Sequence, residues 1–236
     1  MRKQLWAISC LALLLGGCNR AITGDAESDR ALAAFNAMVK TNLDRKGYHD
    51  AMKHWGLSLP GGGKFEWTKD TSANEADFAM VIPAEPFIRA GLDVGRLEGT
   101  GYVFQAAKIE AGESLPDLLL RLYNVSDKKE NAQGSEDALR RILKQRNTIV
   151  QYDEDRRQYR LFLYDGGDDP FEVWWTETLG QGEADMVFVI AADPLMRAGL
   201  DPGRLDGGWV FQEAEAGGVP NRLVERYAWS PRNAGE

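Results

Sequence analysis

The chain is poor in cysteine and histidine, short of positive charge, and has no long apolar run. Its two cysteines, Cys10 and Cys18, both lie near the amino end. The rest of the chain can therefore form no disulfide and no cysteine-based metal cluster, so stability must come from apolar cores. His49 and His54 are the only histidines and lie close to Asp44 and Asp50. A metal site would have to rest on that single group, and none is assigned. Nucleophile–base machinery has little to draw on, no G-x-S-x-G occurs, and no catalytic residue or cofactor is assigned. Pro60-Gly61-Gly62-Gly63-Lys64 lacks the spacing of a phosphate loop and reads as a turn. With 28 basic against 36 acidic residues the net charge is −8, which disfavours nucleic acid and anionic lipid headgroups as partners. The longest apolar stretch, Leu5 to Leu15, falls short of the ~20 residues that span a bilayer.

The amino end is distinctive. Arg2 and Lys3 precede the apolar stretch, and Leu15-Gly16-Gly17-Cys18 follows it. A positive start, a short apolar core and small residues before a cleavage point make a secretory signal peptide over 1–17. The Gly-Gly-Cys end resembles the lipobox of bacterial lipoproteins. That resemblance implies cleavage before Cys18, a diacylglyceryl group on its sulfur, and a mature chain facing the periplasm or the cell exterior. Each buried acyl methylene adds about 0.8 kcal/mol, and two or more chains anchor stably. The membrane would be the cell membrane or, as Asn19 after the cysteine suggests for a two-membrane cell, the outer membrane. Residues 18–29 read as a lipidated tether.

The mature chain is written twice. Glu75–Gly99 and Glu183–Gly207 are identical at 16 of 25 positions. Flanking matches include Trp67 with Trp175, Leu57 with Leu161, Phe35 with Leu139, and Tyr123 with Tyr227. The offset is 104 residues at both ends and 108 in the middle, so small insertions cancel. The repeats span 30–127 and 134–231, joined by a short polar link. A repeat of about 100 residues is domain-sized.

Each repeat predicts the same elements. An amphipathic helix (30–46 and 136–146) carries an apolar stripe such as Leu32, Phe35, Met38 and Val39. A hairpin follows, over 54–59 with 64–69 and over 158–164 with 171–177. A strand at 149–153 precedes the second hairpin. Apolar strands at 78–82 and 186–190 lead into short helices that Gly91 and Gly199 terminate. Further strands are expected at 102–107 and 210–214; 118–125 and 222–229 leave the element type open and lean to strand. The fold class is α+β: two homologous tandem repeats, each a helix plus a mostly antiparallel sheet with a short second helix.

The duplicated segment holds Asp77/Asp185, Arg89/Arg197, Asp93/Asp201 and Arg96/Arg204. These residues either cap and pair locally in a strand–helix–turn unit or line a polar pocket whose arginines grip an acidic ligand. Tryptophans on a hairpin can stack on sugar rings, although core packing is the commoner role. Adjacent Trp174 and Trp175 must face opposite sides of a strand, so one leaves its own core. The candidate ligand contacts are Trp67, Trp175, Arg89, Arg197, Arg96 and Arg204, around a cleft where the repeats meet. The expected function is non-enzymatic binding of a small molecule, a glycan or a protein partner at the cell envelope. An envelope hydrolase with paired carboxylates and a structural or assembly lipoprotein are the alternatives.

Overall fold

A computed structural model of the chain describes residues 19–21, 25–41, 46–49, 53–68, 70–71, 76–110, 113–124, 130–144, 148–163, 171–179, 184–214 and 220–228. The segment read as a signal peptide, 1–17, and Cys18 lie outside these residues.

Strand β1 (Asn19–Ala21) and helix α1 (Asp25–Thr41) open the chain. Then come β2 (Lys46–His49), β3 (His54–Ser58), β4 (Lys64–Thr68), β5 (Asp70–Thr71), β6 (Phe78–Pro83) and helix α2 (Glu85–Arg89). The first half ends with β7 (Tyr102–Gln105), β8 (Lys108–Glu110), β9 (Glu113–Leu115) and β10 (Leu118–Tyr123). The second half runs β11 (Glu130–Asn131), α3 (Ser135–Leu143), β12 (Thr148–Asp153), β13 (Gln158–Leu163), β14 (Phe171–Thr176), β15 (Met186–Ala191), α4 (Asp193–Arg197), β16 (Val210–Gln212) and β17 (Arg222–Tyr227). One antiparallel sheet has the order β2-β3-β4-β6-β10-β7; the other has β12-β13-β14-β15-β17-β16, with β1 added at its β12 edge. The two orders correspond strand for strand, and the fold is α+β.

Local chemistry explains the central unit. β6 and β15 are buried on both faces, as continuous apolar runs require. Pro86 and Pro194 sit in the first turns of α2 and α4, where a missing N–H costs nothing. Gly91 and Gly199 follow those helices at φ 101° and 104°, a region that a side chain resists.

Two expectations need correction. α1 spans Asp25–Thr41, not 30–46, because a helix can begin before its buried stripe, and Lys46 already belongs to β2. Within the segment expected as a tether, Asn19–Ala21 pairs with Gln151–Asp153 of the far half and 25–29 already belong to α1. The halves share one core. One apolar cluster runs through both, from Ala31 and Phe35 to Leu223 and Tyr227. Phe35 of α1 lies edge-on to Trp67 at 5.8 Å and to Trp175 at 5.6 Å, one ring from each half. Phe65 meets Phe188 at 5.8 Å, and Tyr123 stacks on Phe171 at 5.0 Å. The two sheets therefore face each other, and α1 and α3 pack together on their inner sides.

Candidate ligand cleft between the two halves

The halves meet around a pseudo-twofold axis, and the duplicated segment builds that junction. The N–H of Asp93 donates to the Ala198 carbonyl at 2.9 Å, and the N–H of Asp201 donates to the Ala90 carbonyl at 2.8 Å. Arg96 Nη2 donates to the Arg197 carbonyl at 2.7 Å, and Arg204 Nη2 to the Arg89 carbonyl at 3.2 Å. A Cβ on Gly91 would lie 3.0 Å from the Gly199 carbonyl oxygen, and one on Gly199 would lie 2.9 Å from that of Gly91. The helices exchange in the same way: Trp67 Nε1 donates to the Ser135 carbonyl at 3.1 Å, and Trp175 Nε1 to the Ala31 carbonyl at 2.9 Å. Each bond has its mate in the other half, the pattern of an isologous interface.

The sequence-selected residues fall into two groups. Trp67 and Trp175 are core residues at 1% exposure and present no ring face to a ligand. They lie together on either side of Phe35, away from the arginines. Arg89, Arg96, Arg197 and Arg204 do gather around the axis, with Arg96 and Arg204 directed at backbone carbonyls of the opposite half. Arg89 forks onto Asp206 at 2.9 and 3.0 Å and also bonds Glu85 at 2.6 Å. The Asp206 hydrogen bond and charge hold its pKa above the usual arginine value. Asp93 and Asp201 accept from the N–H of Gly95 and Gly203, both at 3.0 Å, as turn-closing side chains. Of the adjacent tryptophans, Trp175 faces inward and Trp174 outward.

A cavity of about 470 Å³ opens where the halves meet. The first half contributes Leu59, Ile82, Pro83 and Pro86, and the second contributes Trp209, Glu225 and Tyr227. Comparison with protein-family models, with curated proteins and with solved structures finds no match to this chain. The chemistry of the cleft must therefore be read from its own groups. Burial pushes the Glu225 carboxyl up to about 7, although the hydrogen bond from the Tyr227 hydroxyl works against this. Burial, then the neighbouring Glu225 charge, pushes the Tyr227 hydroxyl far above its ordinary value. Near neutral pH Glu225 can both donate and accept, set in mostly apolar walls.

The repeat is broken at this point. Arg121 and Tyr123 occupy the equivalent positions in the first half, and Arg121 is buried. Arg121 Nε donates to the Tyr123 hydroxyl at 3.1 Å, and Nη1 donates to the Gly101 carbonyl at 3.0 Å. Its guanidinium lies 4.8 Å from the Tyr123 ring centroid and 5.6 Å from that of Tyr102. The shorter Glu225 stands where the longer arginine would reach. Identity between the duplicated segments points away from Glu225; its signal is a charge reversal, Arg121 against Glu225, between equivalent strands.

Proposed function

We propose that this chain is an exported, membrane-anchored lipoprotein whose two homologous halves form one binding module, and that the cleft beside Glu225 holds a small molecule or glycan fragment. The anchor rests on Leu15-Gly16-Gly17-Cys18, with lipid on the sulfur of Cys18. Homology of the halves rests on the 16 identities in 25 positions and the matching strand orders. The observation that carries the binding reading is the cavity of about 470 Å³ with a half-buried, near-neutral carboxyl in an apolar wall. Such a site suits a compact ligand with an apolar body and one hydroxyl or amine for Glu225. Among the described residues one carboxyl lines the cleft, and that favours binding over hydrolysis by a carboxylate pair.

Two experiments test this. The first follows the chain in fractionated cells. Cys18→Ser should release it from membranes, and an unaltered membrane-bound fraction overturns the anchor. The second screens purified chain by thermal shift against envelope glycan fragments and small amphiphiles, beside Glu225→Arg and Glu225→Gln. A ligand that stabilises the native chain should lose its effect in Glu225→Arg, which copies the residue at position 121. Ligands that stabilise native chain and Glu225→Arg equally would place binding elsewhere.

A further inference from the structure

The outward face of the second sheet carries a feature absent from the first. On β17, Arg222, Val224 and Arg226 alternate with the core-facing Leu223, Glu225 and Tyr227. Register places Arg226 beside Val187 and then Trp174, Val224 beside Val189, and Arg222 beside Gln212. Val187, Val189 and Val224 form a floor that is nearly shut off from solvent although it lies outside the main core. Over this floor lies a cavity of about 430 Å³, walled by Arg156, Trp174, Gln212, Glu213, Arg222 and Arg226.

The charge in this cavity is unbalanced. Arg160 lies nearby, but it is committed to the buried Glu172, at 2.6 Å from Nη2 and 2.8 Å from Nε. Trp174 Nε1 donates to the same Glu172 oxygen at 3.0 Å. The guanidiniums of Arg156 and Arg160 stand 4.9 and 4.7 Å from the Trp174 ring centroid, so the indole serves as a platform for cations. Among the described residues, the Arg156 guanidinium has as its carboxylate partner only a distant oxygen of Asp153, at 3.9 Å. The Nε of Arg222 is buried and makes no hydrogen bond. A buried donor without an acceptor is costly and calls for a partner. Among the described residues, three guanidiniums thus face the cavity against one carboxyl, Glu213. In the first half the counterparts of Arg222, Val224 and Arg226 are Leu118, Leu120 and Leu122.

We infer that this outward cavity binds a phosphate group carried on a small organic body. Two uncompensated positive charges match a phosphomonoester, which bears about −1.5 to −2 at neutral pH. Its several oxygens can take separate bonds from converging guanidiniums, whereas a carboxylate is satisfied by a single fork. The cavity is larger than phosphate alone, and the valine floor meets the apolar side of whatever bears it. The site shares Arg226 with the cleft at Glu225, is otherwise built from different residues, and needs no lipid on Cys18.

Calorimetric titration tests the inference with three probes: inorganic phosphate, glucose 1-phosphate, and vesicles of phosphatidylcholine with or without phosphatidylglycerol. Glucose 1-phosphate should bind saturably and more weakly as salt rises. Arg222→Gln and the exposed-site variant Arg226→Gln should each weaken it about tenfold or more. Glu225→Gln should leave it unchanged. Binding only to the anionic vesicles, lost in the same two variants, would keep the phosphate chemistry and make the source a headgroup. No saturable binding to any probe, or binding that both arginine variants retain, overturns the proposal. Both variants are checked for native unfolding midpoints, and Arg226, being exposed, can be replaced without opening the core.

Discussion

Positions 121 and 225 occupy the same place in two matching sheets, yet one carries a buried arginine locked to Gly101 and Tyr123 and the other a half-buried glutamate at the edge of a cleft. The outward faces differ as much, with Leu118, Leu120 and Leu122 on one and Arg222, Val224 and Arg226 on the other. At the pseudo-twofold junction the halves agree almost residue for residue. A residue at that axis meets its own counterpart's surroundings, so a change in either half strains a contact made in both. Away from the axis that constraint lapses. Repeated architecture is thus concentrated at the axis, and chemistry diverges beside it, at Glu225 in the cleft, and on the outward faces.

The comparison can be broken most severely at its shared core. Phe35→Ala should cost about 3–5 kcal/mol, because its ring serves a tryptophan from each half. Urea unfolding followed by tryptophan fluorescence and far-ultraviolet circular dichroism should still show one transition; two separated transitions would mean independent halves.

Next comes Glu225→Gln. The folded carboxyl holds its proton up to about 7, against an ordinary value of 4.5. Its contribution to stability is therefore full at low pH and is lost as pH rises from 4.5 through about 7. Relative to the native chain, the variant should gain up to about 3 kcal/mol over that window. Parallel urea curves across the window measure it, and the equivalent Arg121 position should show no such dependence.

Gly91→Ala and Gly199→Ala sharpen the symmetry. Each forces a side chain into positive φ and against the opposite carbonyl, and should cost about 2 kcal/mol. Equal losses in thermal denaturation would support a true twofold arrangement, and a large inequality would contradict it. Arg96→Met and Arg204→Met are the mildest, at about 1 kcal/mol or less each, since both side chains are exposed. Chemical denaturation should show matching small shifts.

Much of this was legible from residue order. The period of Leu32, Phe35, Met38 and Val39 foretold α1, the apolar runs foretold β6 and β15, and Gly91 and Gly199 marked helix ends. The strands ending at Tyr123 and Tyr227 were also foreseen. β1 and the pairing of β5 with β11 were not, because such short, polar strands gain their partners from tertiary position rather than from an apolar pattern. For the sites the signal ran backwards. Identity between repeats drew attention to Arg96, Arg204, Trp67 and Trp175, which hold the halves together. The groups facing cavities, Glu225, Arg222 and Arg226, sit where the repeats disagree.

The pairing of Asn19 with Asp153 carries a mechanical consequence. An extended residue spans only about 3.3–3.6 Å, so an acyl chain on Cys18 would emerge right beside the outer strand of the second sheet. The module would then ride close to the bilayer with that edge turned toward it, rather than swing freely at the end of a leash. Its working radius would be set by the protein's own thickness, and whatever it captures must come to the membrane surface.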